Sequence, residues 1–246
     1  MTARLAQIQR YPIKGIGTEP LRSVTLECAA PMPQDRAWAL RHTGAPDTPG
    51  WQPRNNFLVV ANGPKLAQVR ARTEADGRIA LSHPQLPDVR IRPPADSRAL
   101  INWIRPIWPD TSPAPRDLVA APAQGMADNG RAEVSILSLA SLDALADSLG
   151  QTLEIDRFRG NLILERLPPW AEFGWIGKRL KIGPVDIEIT ARIERCRATE
   201  ANPVSGLRDA QPVRALHTAF GHRDFGVYGR VVTGGFISIG NEVQLP

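Results

Sequence analysis

Apolar and polar residues alternate along much of this chain in short bursts, and Gly, Pro, Asn and Asp break the bursts apart. A period of two marks half-buried strands. Residues 3–11, 23–27, 37–41, 57–61, 66–72 and 89–92 read this way and make the first half β-dominated. The text changes between 93 and 131: a short strand or helix is predicted near 99–108, and the Pro- and Gly-rich stretch of about 109–131 reads as a connection between two subdomains. One segment switches to helical spacing. Leucines 139, 142, 145 and 149 form a stripe, Ser138 is placed to cap its start, and Gly150 to end it. Strands resume at 161–165, along the Gly-flanked run 180–193 where Val185, Ile187 and Ile189 alternate, and at 227–232 and 236–243. Pro212 opens a short helix through Phe220. Many strands with few helices predict an α+β, β-barrel-dominated architecture.

Composition narrows the classes. At 246 residues the chain suits one large domain or two small interlocked ones. The first ten residues mix charges with isolated apolar side chains, and no apolar run elsewhere approaches membrane-span length, so a cytoplasmic protein without membrane contact is expected. Net charge is +5, from 30 Lys and Arg against 25 Asp and Glu. The positive charge is dispersed and dominated by Arg, which favours bidentate phosphate contacts over diffuse nucleic-acid binding, and no nucleic-acid partner is expected. Two cysteines far apart make no disulfide framework. With no CxxC, and His42, His83, His217 and His222 scattered, a zinc site is a poor fit.

Cys196 carries the most specific chemistry. It lies in Ile193-Glu194-Arg195-Cys196-Arg197, with a further arginine at 192, and a cationic setting favours the sulfur anion, which is the nucleophilic and metal-binding form. From the residues alone it is a nucleophile, a sulfur carrier, a soft-metal ligand or a structural thiol. Cys28, at the end of an alternating run, reads as a small apolar filler.

Six segments appear in an order that resembles the MOSC-domain proteins with their N-terminal β-barrel partner: Tyr11-Pro12-Ile13-Lys14-Gly15, Asp35-Arg36-Ala37-Trp38, Ile136-Leu137-Ser138, Arg157-Phe158-Arg159-Gly160-Asn161, Glu194-Arg195-Cys196, and Asn202-Pro203-Val204-Ser205-Gly206. The pattern is most similar to the mitochondrial amidoxime-reducing component and its bacterial counterparts, over essentially the full length. The resemblance implies an N-terminal MOSC-associated β-barrel subdomain over 1–100 and a MOSC domain over 101–246. It also implies a molybdenum cofactor of the molybdopterin type, with Cys196 as the protein's thiolate ligand to the metal and the catalytic residue. Lys14, Gly15, Arg36, Ser138, Arg159, Asn161 and Arg195 are then the cofactor-binding set, with the basic groups and the helix N-terminus at Ser138 facing the cofactor's phosphate.

The activity so implied is reduction of a small N-hydroxylated or N-oxide substrate, with electrons from a separate protein: a ferredoxin, a flavodoxin or a cytochrome-like donor with its reductase. By position, Asp209 after the Pro203–Gly206 turn and Glu194 beside the cysteine are either proton donors or partners of a neighbouring arginine. Gly15 departs from the pattern, since amidoxime-reducing relatives often carry serine there. The membrane anchor of the mitochondrial relatives and the Cys-rich ferredoxin module of some bacterial ones are not in this sequence. The competing expectation is a carrier that holds molybdenum cofactor, or a persulfide on Cys196, for transfer to another protein. The six tryptophans read as packing residues.

Overall fold

The computed structural model describes residues 2–246. Its strands are β1 (Ala3–Arg10), β2 (Ile13–Lys14), β3 (Glu19–Leu21), β4 (Ser23–Leu26), β5 (Trp38–His42), β6 (Arg70–Thr73), β7 (Ile79–His83), β8 (Leu86–Ile91) and β9 (Pro115–Ala120) in the first half. The second half holds β10 (Val134–Ser138), β11 (Leu162–Glu165), β12 (Arg179–Ile182), β13 (Val185–Glu194), β14 (Asp224–Thr233), β15 (Gly235–Ser238) and β16 (Glu242–Gln244). The α-helices are α1 (Ser97–Ile104), α2 (Leu139–Leu149) and α3 (Pro212–Phe220). None is long and apolar enough to cross a membrane among the described residues.

Seven strands close on themselves in the order β11, β10, β14, β13, β12, β16, β1, with β1 pairing back onto β11. The fold is α+β and dominated by this barrel. Alternation in the sequence fills it: Val185, Ile187 and Ile189 point inward while Asp186, Glu188 and Thr190 between them keep solvent contact. Leu5, Ile8, Ile136, Leu162 and Leu164 join them in one core. Burying each such side chain contributes about 1.5–3 kcal/mol. β10 and β11 run parallel, and α2 makes the crossover between them.

Outside the barrel, β2, β5 and β9 form one three-stranded sheet and β6, β7 and β8 another, packed with α1 around a second core that includes Ile13, Leu40, Leu58, Leu66 and Trp103. Four expectations change here. The 109–131 stretch is not purely a connection, because Pro115–Ala120 pairs antiparallel with β5; Pro115 is tolerated as the strand's first residue. Residues 57–61 make no regular strand: Phe57 and Leu58 are fully buried, and the chain turns at once through Asn62 N–H to Val59 C=O. Residues 66–72 split into a 3-10 turn over Pro64–Gln68 and the strand β6. The run 236–243 divides at Gly240, whose φ of +91° ends β15 before β16.

Candidate functional site

A cavity of about 630 Å³ lies against the outer wall of the barrel, closed on its far side by the first half of the chain. Seven of the eight expected site residues line it: Lys14, Gly15, Arg36, Arg159, Asn161, Arg195 and Cys196. Ser138 does not. It is fully buried, and its hydroxyl accepts from Ser141 N–H at 3.4 Å as the cap of α2, so the expected anion contact from this helix start is replaced by an ordinary capping role.

The wall from the first half is built around Tyr11. This ring is fully buried and stacked between two guanidiniums, Arg159 at 4.2 Å and Arg36 at 4.9 Å from its centroid. Both arginines sit at φ +49°, a left-handed conformation that costs a non-glycine residue about 1 kcal/mol or more. Arg36 is satisfied: it pairs with Asp35 and donates to the Arg159 carbonyl at 3.0 Å. Burial acts to lower its pKa, but the Asp35 charge outweighs this and leaves it raised.

Lys14 is also paired, donating to the Met126 carbonyl at 2.7 Å and to the Asp128 carboxylate, while burial lowers its pKa. Gly15, at φ +74°, lies so close to the Leu58–Val59 backbone that the chain runs directly past it. That contact accounts for glycine where the resembled pattern has serine.

Arg159 differs from Arg36. Its one hydrogen bond is a long 3.4 Å contact to the Gly17 carbonyl, and it has no carboxylate partner among the described residues. Burial pulls it down to about 10, which still leaves it charged at neutral pH. Arg195 is in the same position, lowered by burial to about 10. It donates to the Phe225 carbonyl at 2.8 Å and 2.6 Å and to the Phe158 carbonyl at 2.7 Å, which ties the Cys196 turn to β14 and to the Phe158 turn without neutralising the charge. Two cations without carboxylates on one cavity wall make a site for an anion.

Cys196 follows β13, whose pairing with β14 shifts register between Arg192 and Glu194, next to Gly226 at φ +77°. Such a bulge re-aims the end of a strand. The Cys196 carbonyl accepts from Thr199 N–H and Oγ1, both at 3.1 Å, and so opens a 3-10 turn over Arg197–Glu200. Its sulfur is a free thiol on the cavity wall with no hydrogen-bond partner among the described residues. Cys28 is elsewhere, exposed, its sulfur donating to the Val232 carbonyl at 3.0 Å.

Asn161 is committed to structure: its side-chain oxygen accepts from Ser135 N–H and Oγ, and its amide donates to the Gln9 carbonyl at 3.2 Å. It therefore locks β1, β10 and β11 together behind the cavity. Asp209 lies outside the cavity lining and is held by Arg157 at 2.7 Å and Asn202 at 2.6 Å. Burial acts to raise its pKa, but those hydrogen bonds prevail and lower it, so it has no proton to give at neutral pH. Glu194 does line the cavity.

No group of three or more His, Cys, Asp or Glu gathers to hold a metal among the described residues. A metal bound at Cys196 would therefore need its other ligands from a non-protein group.

Asp128 and Tyr228 of the wall, and Tyr11 buried behind it, were not singled out from sequence. Tyr11 had a signal, since it heads the motif that contains Lys14. Asp128 was hidden in the stretch read as a connection, and Tyr228 in an alternating strand. Trp51 lines the cavity too, its indole N–H donating to the Ala127 carbonyl at 2.7 Å.

Family comparison finds two matches in the chain. The MOSC domain matches residues 122–244, and the MOSC N-terminal beta barrel domain matches residues 2–103. Among curated proteins, the chain is 38% identical over 101 residues to molybdenum cofactor sulfurase 2 of Culex quinquefasciatus, covering 39% of this chain and 13% of that protein. It is 32% identical over 112 residues to molybdenum cofactor sulfurase of Anopheles gambiae, covering 41% and 14%. The chain thus matches only about one-seventh of the length of these relatives. Among solved structures, the YuaD protein from Bacillus subtilis is similar with a TM-score of 0.45 at 12% identity, covering 99% of this chain and 94% of that one. YiiM from Geobacillus stearothermophilus follows with a TM-score of 0.35 at 17% identity, covering 46% and 53%.

Proposed function

The chain belongs to the MOSC-domain family, and from that premise we propose that it binds a molybdopterin-type molybdenum cofactor in the barrel-side cavity and reduces small N-hydroxylated or N-oxide compounds. The observation that carries this reading is the pairing, on one wall, of a free Cys196 thiol with two arginines that have no carboxylate partner. A volume of about 630 Å³ falls in the usual range for cofactor and ligand sites, about 300–1,000 Å³. The donor set fits the group: one soft sulfur for the metal, and unneutralised guanidiniums for a phosphate.

When bound, such a cofactor supplies two-electron reduction, in which the oxygen on the substrate nitrogen leaves as water. The chain's residues have their own tasks. Cys196 is the protein's metal ligand. Arg159 and Arg195 hold the phosphate end, and the Tyr11 ring keeps Arg159 in place. Lys14 and Arg36, already paired with Asp128 and Asp35, hold the walls in register and add positive potential rather than a free charge. Gly15 keeps the backbone of 57–61 tight against the cavity. The electrons come from a separate donor of the ferredoxin, flavodoxin or cytochrome-like kind, for which the chain's net charge of +5 favours an acidic partner. Two unpaired cysteines are consistent with a cytoplasmic setting.

A second reading has its own support. The curated relatives are named molybdenum cofactor sulfurases, and a thiol without a partner suits a carrier of cofactor or of persulfide sulfur. Purified protein given an artificial low-potential electron donor and benzamidoxime separates the two. Donor-dependent formation of benzamidine supports the reductase; bound cofactor without turnover contradicts it and supports the carrier.

A further inference from the structure

The hydroxyl of Tyr228 lies on the cavity wall and makes no hydrogen bond among the described residues. Tyr228 sits on β14 between Ser135 of β10 and Ala191 of β13, its pairing partners. Its strand neighbour Val227 fills the barrel core, so alternation turns the Tyr228 ring outward to the cavity, beside Ser135. Burial raises its pKa, the charges of Arg195 and Arg36 oppose that rise, and Asp128 and Glu133 add to it. The phenol therefore keeps its proton at neutral pH.

Glu133 connects this place to the outside. A smaller hollow of about 310 Å³ is bounded by Ala29, Arg131, Thr190 and Arg230, and among the described residues Glu133 alone lines both it and the main cavity. Its side chain is only 6% exposed. One carboxylate oxygen accepts from Asn129 Nδ2 at 2.7 Å, and the other lies 4.0 Å from the Arg131 guanidinium. The Thr190 hydroxyl, on the rim of the small hollow, donates to the Tyr228 carbonyl at 3.3 Å, which fixes the strand that carries the ring.

We infer that Glu133 and Tyr228 form the proton inlet of the cavity, Glu133 taking protons from water in the smaller hollow and Tyr228 giving its own to the oxygen that leaves the substrate nitrogen. The inference rests on the N-oxygenated substrate class proposed above. Cleaving R–NH–OH to R–NH₂ and water consumes two electrons, supplied by the external donor protein, and two protons. Tyr228 protonates the departing oxygen as the N–O bond breaks, and its phenolate recovers a proton through Glu133; solvent supplies the second proton to nitrogen.

The test uses the full chain in its molybdenum-loaded form together with cofactor-free protein. In Tyr228→Phe, kcat for benzamidoxime falls about 100-fold, the lower end of what a positioned proton donor contributes, while KM and molybdenum content stay within about twofold. Glu133→Gln lowers kcat less and reduces the solvent deuterium isotope effect. The second readout needs no cofactor. The chain has only two tyrosines, so ¹³C-labelled tyrosine gives two ring resonances, assigned with Tyr228→Phe. Glu133→Gln moves the Tyr228 titration to lower pH. The two claims fail separately. Wild-type protein without molybdenum contradicts the reductase, whereas a loaded Tyr228→Phe enzyme with kcat within threefold of wild type, or a Tyr228 titration unmoved by Glu133→Gln, overturns the inlet.

Discussion

A side chain at position 15 meets two obstacles at once: a φ of +74°, and a Cβ that would collide with the Leu58 carbonyl oxygen and lie 2.8 Å from Val59 Cα. Both obstacles are backbone, so neither yields cheaply, and Gly15→Ser is expected to destabilise the fold by about 2–4 kcal/mol. A thermal unfolding scan reads this as a drop of roughly 5–15 °C; an unchanged midpoint contradicts it. Arg157 and Arg159 make a sharper comparison because they are two residues apart with opposite circumstances. Arg157 is buried between Glu154 at 2.6 Å and Asp209 at 2.7 Å, whereas Arg159 faces the cavity without a carboxylate. Arg157→Ala should lower stability by about 2 kcal/mol, discounted for its partly exposed partners. Arg159→Ala should leave the unfolding midpoint within a few degrees and weaken retention of a phosphate-bearing cofactor instead. Equal thermal losses in both variants would contradict the distinction. Lys14, Arg36, Arg159 and Cys196 were legible in the sequence because each sits in a short motif whose order is informative. Ser138 was ambiguous because one hydroxyl at a helix start serves a cap and an anion equally well, and only burial separates the two. Tyr228 was illegible because a tyrosine among alternating valines reads as one more strand residue.

The start of α2 shows the same point for a whole element. Ser141 stands one turn into the helix and donates its hydroxyl between the two oxygens of Glu172, at 2.9 Å and 3.0 Å, while accepting from Trp170 N–H at 2.8 Å. Glu172 is fully buried with no cationic partner among the described residues, and burial raises its pKa above the ordinary 4.5. The native state thus holds this proton more tightly than the unfolded chain does. Its contribution to stability is complete below about pH 4.5 and is lost as pH rises toward the raised folded value. Glu172→Gln removes that dependence, so the difference between wild-type and variant unfolding midpoints should change as pH rises above 4.5; a constant difference contradicts it. Of the elements, α2 and α3 were the most legible, since leucine spacing, Ser138, Pro212 and the glycines at 150 and 221 all agree with where they begin and end. Segment 57–61 misled because its apolar residues serve burial, Leu58 and Val60 in the second core and Phe57 against Ala39 and Met126, not pairing in a ladder. β7 went unread although Ile79, Leu81 and His83 alternate inward between its sequence neighbours β6 and β8, because the run is only five residues long and contains Ala80 and Ser82.

For the whole molecule, the strand that closes the barrel comes from the far end of the sequence. β1 pairs with β11 through Leu5 and Leu164 and with β16 through Ala3 and Val243, so the second half alone has an open ring and two exposed strand edges. β4 pairs with β15 as well. A fragment of residues 101–246 is therefore expected to aggregate or to lose its cooperative unfolding, while the full chain unfolds cooperatively; a soluble, cooperatively folded fragment contradicts this. The barrel architecture was legible from strand alternation, but closure by β1 was not, because no local pattern records a partner more than 150 residues away. The same interleaving makes the cavity a product of both halves, with Lys14, Gly15 and Arg36 on one side and Arg159, Arg195 and Cys196 on the other. Molybdenum per chain, measured after expression in a host that makes the cofactor, tests the central claim directly for wild type and Cys196→Ser. Near-stoichiometric metal in wild type that falls sharply in the variant is the expected result; metal absent from both, or equal in both, contradicts ligation by Cys196.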